Sequence, residues 1–374
     1  MTGAAGDQPK KPKYQQLLEA LSQAIERGEY KPGAKLPSEA ALVKQFDTSR
    51  ITVGRALREL QQMGLVDRFA GSGTYVRKRE GKGARPLLFG LLIPDLGETE
   101  IFGPICQGIA NASDGKDQAL LWGHVNVNET KEEQAKQLCR QFIERQVSGV
   151  FFAPLEFELQ SDRTNRWILN AFAESGVPLV LLDRRLPYTP ERHRPDIVGI
   201  NNKQAGYLAT EHLIQMGCKR IGFLGYHGAA FTIQERMTGY KEALAAHGLR
   251  RPFEVDESTA AEISTGEKVD VEAFVCANDQ TAGNMMHSFL SQGLRIPGDI
   301  RLVGIDDVQY AKLLPVPLTT VRQPCREIGE EAMRTMLHRI EKPRTPARDV
   351  LLDGQLVVRR SCGAHLSLDP QSAS

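Results

Sequence analysis

Three groups of residues in this chain could do chemistry. The first is cationic and hydroxyl-bearing: Ser49, Arg50, Thr52, Arg55 and Arg58. Val53, Ala56, Leu57 and Leu60 interleave with them at helical spacing. A helix over about 49–63 therefore turns the apolar set inward and most of the polar set outward. Outward arginines and hydroxyls can grip phosphates and base edges, although a merely solvated helix face has the same look. The second group is a scatter of carboxylates, Asp95, Glu98, Glu156, Asp183 and Asp306, several of them just after apolar runs. They could form the acid pair of a glycoside hydrolase or, more simply, accept hydrogen bonds from the hydroxyls of a ligand. The third is six cysteines, Cys106, Cys139, Cys218, Cys276, Cys325 and Cys362, with no CxxC pair among them. That spacing suits buried thiols in a reducing compartment better than a zinc site or a disulfide framework.

Enzymatic motifs are missing. There is no GxSxG elbow, no HExxH and no P-loop, and Gly71-Ser72-Gly73 is not followed by Gly-Lys-Ser/Thr. No catalytic residue, metal or cofactor is expected. The 374 residues are 41% hydrophobic and 25% charged, values of a folded protein of two or three domains. No apolar run reaches the roughly 18 residues of a membrane span, and the start has no apolar signal core. A cytoplasmic, nucleoid-associated protein is expected. Residues 1–80 hold fourteen Lys and Arg against nine Asp and Glu, within a chain whose net charge is only +1. A basic head on a slightly acidic body points to a polyanionic partner for the head.

The elements that must position these groups follow from periodicity. Residues 1–13 read as a disordered arm. Leu17, Leu18, Leu21 and Ile25 share a helix face ending near Gly28; Ser38 caps a short helix over 39–45; the helix from 49 is stopped by Gly64. Residues 65–69 and 74–76 then flank a glycine turn as a hairpin. From residue 87 the pattern changes to apolar strands at 87–93, 119–123, 149–153, 179–183, 197–200, 220–224, 273–276 and 301–305. Helices such as 131–145, 203–215 and 233–246 alternate with them. Such alternation predicts parallel sheets covered on both faces, in two doubly wound lobes.

The head motifs, Leu36-Pro37-Ser38-Glu39, Ser49-Arg50-Ile51-Thr52-Val53 and Gly71-Ser72-Gly73-Thr74-Tyr75-Val76, resemble the GntR-type winged helix-turn-helix over 14–77. That family usually has Arg after Thr-Val, where this chain has Gly54 followed by Arg55. The body resembles the LacI-type regulator core, which shares its fold with periplasmic sugar-binding proteins, over about 87–362. The carrying residues are Leu182-Asp183-Arg184, Cys276-Ala277-Asn278-Asp279, Gly304-Ile305-Asp306-Asp307 and Thr320-Val321-Arg322-Gln323-Pro324. The two resemblances divide the chain into an arm (1–13), a winged helix-turn-helix (14–78), a linker (79–86), an effector-binding and dimerisation domain (87–362) and a tail (363–374). The combination is the layout of the arabinose repressor group. The lobes are expected to interleave as about 87–183 plus 324–340, and about 190–320 plus 347–361.

The GntR resemblance implies that the third helix enters the major groove of double-stranded operator DNA. Arg50, Thr52 and Arg55 would read bases; Lys44, Ser49 and Arg58 would hold phosphates; and Gly71, Gly73 and Thr74 would form the wing. The LacI resemblance implies an effector cleft at the strand ends lined by Phe102, Glu156, Phe231, Arg236, Asn278, Asp306 and Gln323. Carboxylates, amides and an aromatic face suit a monosaccharide. Asp183-Arg184 reads equally as a structural pair or a ligand group. Trp122, His124 and Tyr226-His227 read as structural. The expected function is a homodimeric repressor of carbohydrate-use genes released by a monosaccharide such as L-arabinose. A non-secreted sugar-binding protein and a sensor of a non-sugar metabolite remain as alternatives.

Overall fold

The computed structural model describes residues 12–31, 33–62, 65–69, 72–76, 86–94, 96, 100–112, 118–123, 128–156, 161–186, 194–225, 230–249, 252–256 and 271–367. Gly64, Gly71, Asp95, Glu98, His124, Tyr226 and His227 lie outside the described residues, as do 1–11 of the arm, 79–85 of the linker and 368–374 of the tail. The chain divides into two compact units, Met1–Arg85 and Pro86–Ser374.

The first unit is a winged helix-turn-helix. It contains α1 (Lys13–Glu26), α2 (Glu39–Gln45), α3 (Arg50–Gln62), β1 (Val66–Phe69) and β2 (Gly73–Val76). Helix α1 starts at Lys13, the last residue read as arm. Leu17 and Leu21 from α1, Leu42 from α2, and Val53, Leu57 and Leu60 from α3 close one core with Val66 and Val76 of the hairpin. The Ser38 hydroxyl caps α2 by accepting the Ala41 N–H at 3.2 Å. Ser49 does the same for α3 from Thr52 N–H at 3.2 Å. These caps fix where each helix begins, and so which side chains of α3 face outward.

The second unit has two six-stranded sheets. In chain order the first lobe supplies β3 (Leu87–Leu92), α4 (Phe102–Asn111), β4 (Gln118–Trp122), α5 (Lys131–Glu144), β5 (Gly149–Phe152), α6 (Ser161–Ser175), β6 (Leu179–Leu182) and β7 (Asp196–Ile200). The second supplies α7 (Asn202–Gln215), β8 (Ile221–Leu224), α8 (Phe231–Ala246), β9 (Phe253–Val255), β10 (Ala273–Cys276), α9 (Asp279–Ser291), β11 (Arg301–Asp306) and β12 (Thr319–Arg322). The chain then returns to the first lobe with α10 (Cys325–Glu341) and β13 (Asp349–Leu352), and ends in the second with β14 (Gln355–Val357). The sheet orders are β13-β7-β6-β5-β3-β4, all parallel, and β14-β12-β11-β10-β8-β9, parallel except for β14. Two expectations are corrected here. Strand β7 pairs with β6 and β13, so 196–200 belongs to the first lobe and the first crossover follows Ile200. The segment 347–361 is shared, with β13 in the first lobe and β14 in the second. Residues read as tail also continue the fold, since Ala364–Ser367 forms a 3-10 turn and Ala364 packs on the core.

Each lobe contains a helix pair in backbone contact. A Cβ on Gly108 of α4 would lie 2.1 Å from the Arg326 carbonyl oxygen, and one on Gly329 of α10 would lie 2.0 Å from that of Ile105. In the other lobe, a Cβ on Gly206 of α7 would meet the Arg236 carbonyl at 1.9 Å, and one on Gly239 of α8 the Lys203 carbonyl at 1.9 Å. Only glycine permits approaches this close. The α7–α8 contact fixes the backbone of Arg236, whose side chain reaches the cleft network described below.

Gly206→Ala is therefore expected to lower stability by about 1–3 kcal/mol through overpacking. Gly283→Ala is the control: a Cβ at Gly283 of α9 meets nothing nearer than Leu314 at 3.5 Å, and alanine is the better helix former. Melting temperatures of the two variants should move in opposite directions.

Candidate functional site

The outward face of α3 carries Arg50, Arg55 and Arg58, all exposed, with Thr52 half-buried. Their engagements differ. Arg55 donates to the Glu59 carboxylate at 3.2 Å, and its guanidinium lies 3.9 Å from the centre of the Tyr14 ring on α1. It is held back against the first helix. The Ser49 and Thr52 hydroxyls share a hydrogen bond at 2.8 Å, which makes Ser49 a helix cap as well as a candidate phosphate contact. Arg50, Lys44 of α2 and Arg58 extend into solvent. Ile51, which the sequence reading left out of the site, is 82% exposed beside Arg50.

In the wing, β1 and β2 pair antiparallel with Phe69 opposite Gly73. Gly73 has φ +130°, and a Cβ there would lie 2.6 Å from Cε of Lys35, so the position requires glycine. The Lys35 ammonium sits 5.7 Å from the centre of the Tyr75 ring. Thr74 does not fit the expected DNA contact. It is 7% exposed because the strand alternation that turns Gly73 and Tyr75 outward turns Thr74 and Val76 inward. Its carbonyl accepts the Leu36 N–H at 2.8 Å, so it ties the wing to the head.

In the sensor unit, a cleft of about 960 Å³ opens at the carboxyl ends of the parallel strands. Asp306 and Gln323 line it, with Glu100, Trp122, Asp307 and Arg322. Asp306 ends β11 at φ +130°, and its Oδ1 accepts from Nε2 of Gln323 at 2.6 Å and from Nη2 of Arg236 at 3.3 Å. Arg236 also donates to Oδ1 of Asn202 at 2.7 Å and to the Ala277 carbonyl at 2.6 Å. Burial still raises the Asp306 carboxyl above the usual range; the Arg236 charge and the Gln323 hydrogen bond oppose it, while Asp183 adds to the rise. Oδ1 of Asp183 and Oε1 of Gln323 are buried with no hydrogen-bond partner among the described residues. At the cleft wall the Gln323 side-chain oxygen thus stands as an acceptor beside the Asp306 carboxylate.

The remaining candidates are placed differently. Arg236 is buried behind Asp306 and holds it. Asn278 caps α9, its Oδ1 accepting the Thr281 N–H at 2.8 Å. Glu156 pairs with Arg184 at 3.0 Å, and Phe231 is half-buried at the start of α8; none of these four is part of the cleft wall. Phe102 also lies outside the cleft wall. It is 0% exposed, its ring turned into the core under the Arg184 guanidinium at 5.4 Å. The aromatic side chain in the wall is Trp122, 57% exposed. Its place at the end of β4 was the available signal. The cysteines carry no reactive thiol in this cleft: Cys325 lines it, but burial pushes its thiol up to about 12.

Asp279, the first residue of α9, accepts from the Thr320 hydroxyl at 2.5 Å and from the Val308 N–H at 3.0 Å. Burial, then the charge of Asp306, pushes its carboxyl up to about 7. The folded state therefore binds this proton more tightly than the unfolded chain. Its contribution to stability is largest at low pH and is lost as pH rises toward 7. Asp279→Asn should flatten that fall, which melting temperatures of both proteins across the same pH series would show; parallel curves would contradict it.

Comparison with known proteins agrees with this division of labour. Residues 13–76 match the gntR family of bacterial regulatory proteins, and residues 210–362 match the periplasmic binding protein-like domain. The chain is 29% identical over 366 residues to the arabinose metabolism transcriptional repressor of Geobacillus stearothermophilus, covering 94% of this chain and 97% of the relative. It is 31% identical over 238 residues to the HTH-type transcriptional repressor PurR of Vibrio vulnificus, covering 61% of this chain and 68% of that one. A LacI family transcriptional regulator from Mycobacterium smegmatis superposes with a TM-score of 0.60 at 27% identity, over 73% of this chain and 98% of that chain. No helix among the described residues is long and apolar enough to cross a membrane. The chain belongs to the ligand-responsive transcriptional regulators that join a GntR-type DNA-binding head to a LacI-type, periplasmic-binding-protein-like sensor.

Proposed function

We propose that this regulator represses genes of carbohydrate use and is released from its operator by a neutral monosaccharide, with L-arabinose or a related pentose as first candidate. The observation that carries the reading is the cleft: its wall holds the Asp306 carboxylate, fixed by Arg236 and Gln323, and the Gln323 side-chain oxygen beside it. Sugar hydroxyls supply donors for such acceptors, and the exposed face of Trp122 offers a surface for the C–H side of a ring. The name of the Geobacillus relative points to the same sugar. The protein would act in the cytoplasm, at the nucleoid, as a homodimer, without enzymatic activity. Ligand binding would shift operator affinity only by its differential affinity for the two states of the sensor. A second reading has its own support. Glu100, Asp307, Glu327 and Asp353 share the cleft wall with Asp306 against Arg322 and Arg326, a balance that would also suit a cationic metabolite.

Two variants test the reading. Arg50→Ala should weaken specific operator binding by about 1–3 kcal/mol if Arg50 reads a base. An equal loss on random duplex would make Arg50 a phosphate anchor. Asp306→Asn should leave operator binding intact while weakening monosaccharide binding by about 1.5–3 kcal/mol, the range for a hydrogen bond to a charged group. Band shifts and calorimetry on the same preparations measure both. Undiminished sugar affinity in Asp306→Asn contradicts the cleft assignment, and binding of amines but not sugars favours the second reading.

A further inference from the structure

The first turns of α3 carry a surface that hydrogen-bonding chemistry does not explain. Ile51 is 82% exposed, more than any other large apolar side chain among the described residues of the head. Its polar neighbours are occupied locally: the Ser49 and Thr52 hydroxyls bond to each other at 2.8 Å, and Arg55 is drawn onto Tyr14 and Glu59. One turn on stands Gly54, where a Cβ would meet nothing within 4 Å. Steric need therefore does not explain this glycine, and in mid-helix it is less favourable than alanine. Residues 51, 54 and 58 stand at i, i+3 and i+7 and share one face. That face reads as a bulky apolar side chain, then a strip of bare helix backbone, then the Arg58 cation, with Arg50 and Lys44 exposed nearby.

We propose that Ile51 and Gly54 form a methyl-reading patch, in which Ile51 contacts the C5-methyl of a thymine in the major groove and the bare backbone at Gly54 lets the helix approach that base closely. The proposal rests on the reading of the head as a DNA-binding module. The cations flanking the patch favour a polyanion as its occupant over an apolar protein surface. Within the major groove, the thymine methyl is the apolar feature a base pair presents, and an isoleucine, lacking donors and acceptors, can discriminate bases only through it. Arg50, the neighbouring residue, would read the adjacent base pair. The pair Ile51 and Gly54 thereby sets the sequence preference of this face of the helix.

The test uses the full-length protein and duplexes recovered by it from a random-sequence library. The recovered duplexes should share a thymine, and replacing that thymine by deoxyuridine, which removes only the methyl, should weaken wild-type binding roughly three- to fivefold, the worth of one buried methyl group. Ile51→Ala should bind the thymine and deoxyuridine duplexes equally. Gly54→Leu, whose extra atoms begin in open space in the free protein, should keep the wild-type melting temperature and lose affinity for both duplexes. Wild-type affinity indifferent to every thymine-to-deoxyuridine replacement overturns the proposal, as does an Ile51→Ala variant that keeps the full methyl effect. Failure to recover any duplex overturns the DNA-reading head itself, and the methyl patch with it.

Discussion

A carboxylate buried at a strand end is costly unless charge and donors surround it. Asp306 meets that condition through two side chains from different elements. Arg236 comes from α8, and Gln323 follows β12 at the point where the chain returns to the first lobe. Arg236 in turn spends its other donors on Asn202 and the Ala277 carbonyl. The starts of α7 and α8 and the ends of β10, β11 and β12 are thus tied to one anion. Asp307, next in the chain, is held in the same way by Arg322 and Arg359. Two consecutive aspartates with positive φ keep their unusual backbone because these cations hold their side chains in place.

That network needs helices set at fixed depth on the sheets. The glycine contacts provide it: Gly206 and Gly239 seat α7 against α8, and Gly108 and Gly329 seat α4 against α10. The two lobes use the same device, although the paired helices are far apart in sequence in one lobe and close in the other. In the first lobe the close approach also places the start of α10, with Cys325 and Glu327, at the cleft wall.

Much of this was legible from residue patterns, and the failures have physical causes. The head could be read almost to the residue because its signals are local: the Ser38 cap and the 3.6-residue spacing of Val53, Leu57 and Leu60. The fully buried, continuously apolar strands such as β5, β6, β8 and β10 were equally plain. Strands β9, β13 and β14 were not, since they are partly exposed and mix polar with apolar residues, and β12 is Thr-Thr-Val-Arg lying between prolines. The lobe of β7 depends on pairing with β6 and β13, a non-local fact invisible in a linear pattern. Phe102 and Trp122 are both aromatics near strand ends. Helix phase sends the first into the core and leaves the second at the cleft. The capture of Arg55 by Tyr14 joins residues of different helices, which no local motif encodes. Asp306, Gln323 and Arg236 were singled out because their motifs resemble known ones. That Arg236 works behind Asp306 emerged only from the geometry.

The head and the sensor together make a device only if their two equilibria are linked. Linkage is reciprocal: whatever factor a sugar takes from operator affinity, the operator must take from sugar affinity. Calorimetric titration of L-arabinose and related monosaccharides into the full-length protein, alone and saturated with its operator, measures that factor directly. Sugar binding should be weaker in the presence of operator, by the same factor that saturating sugar weakens operator binding. Sugar binding of equal strength with and without operator would contradict it.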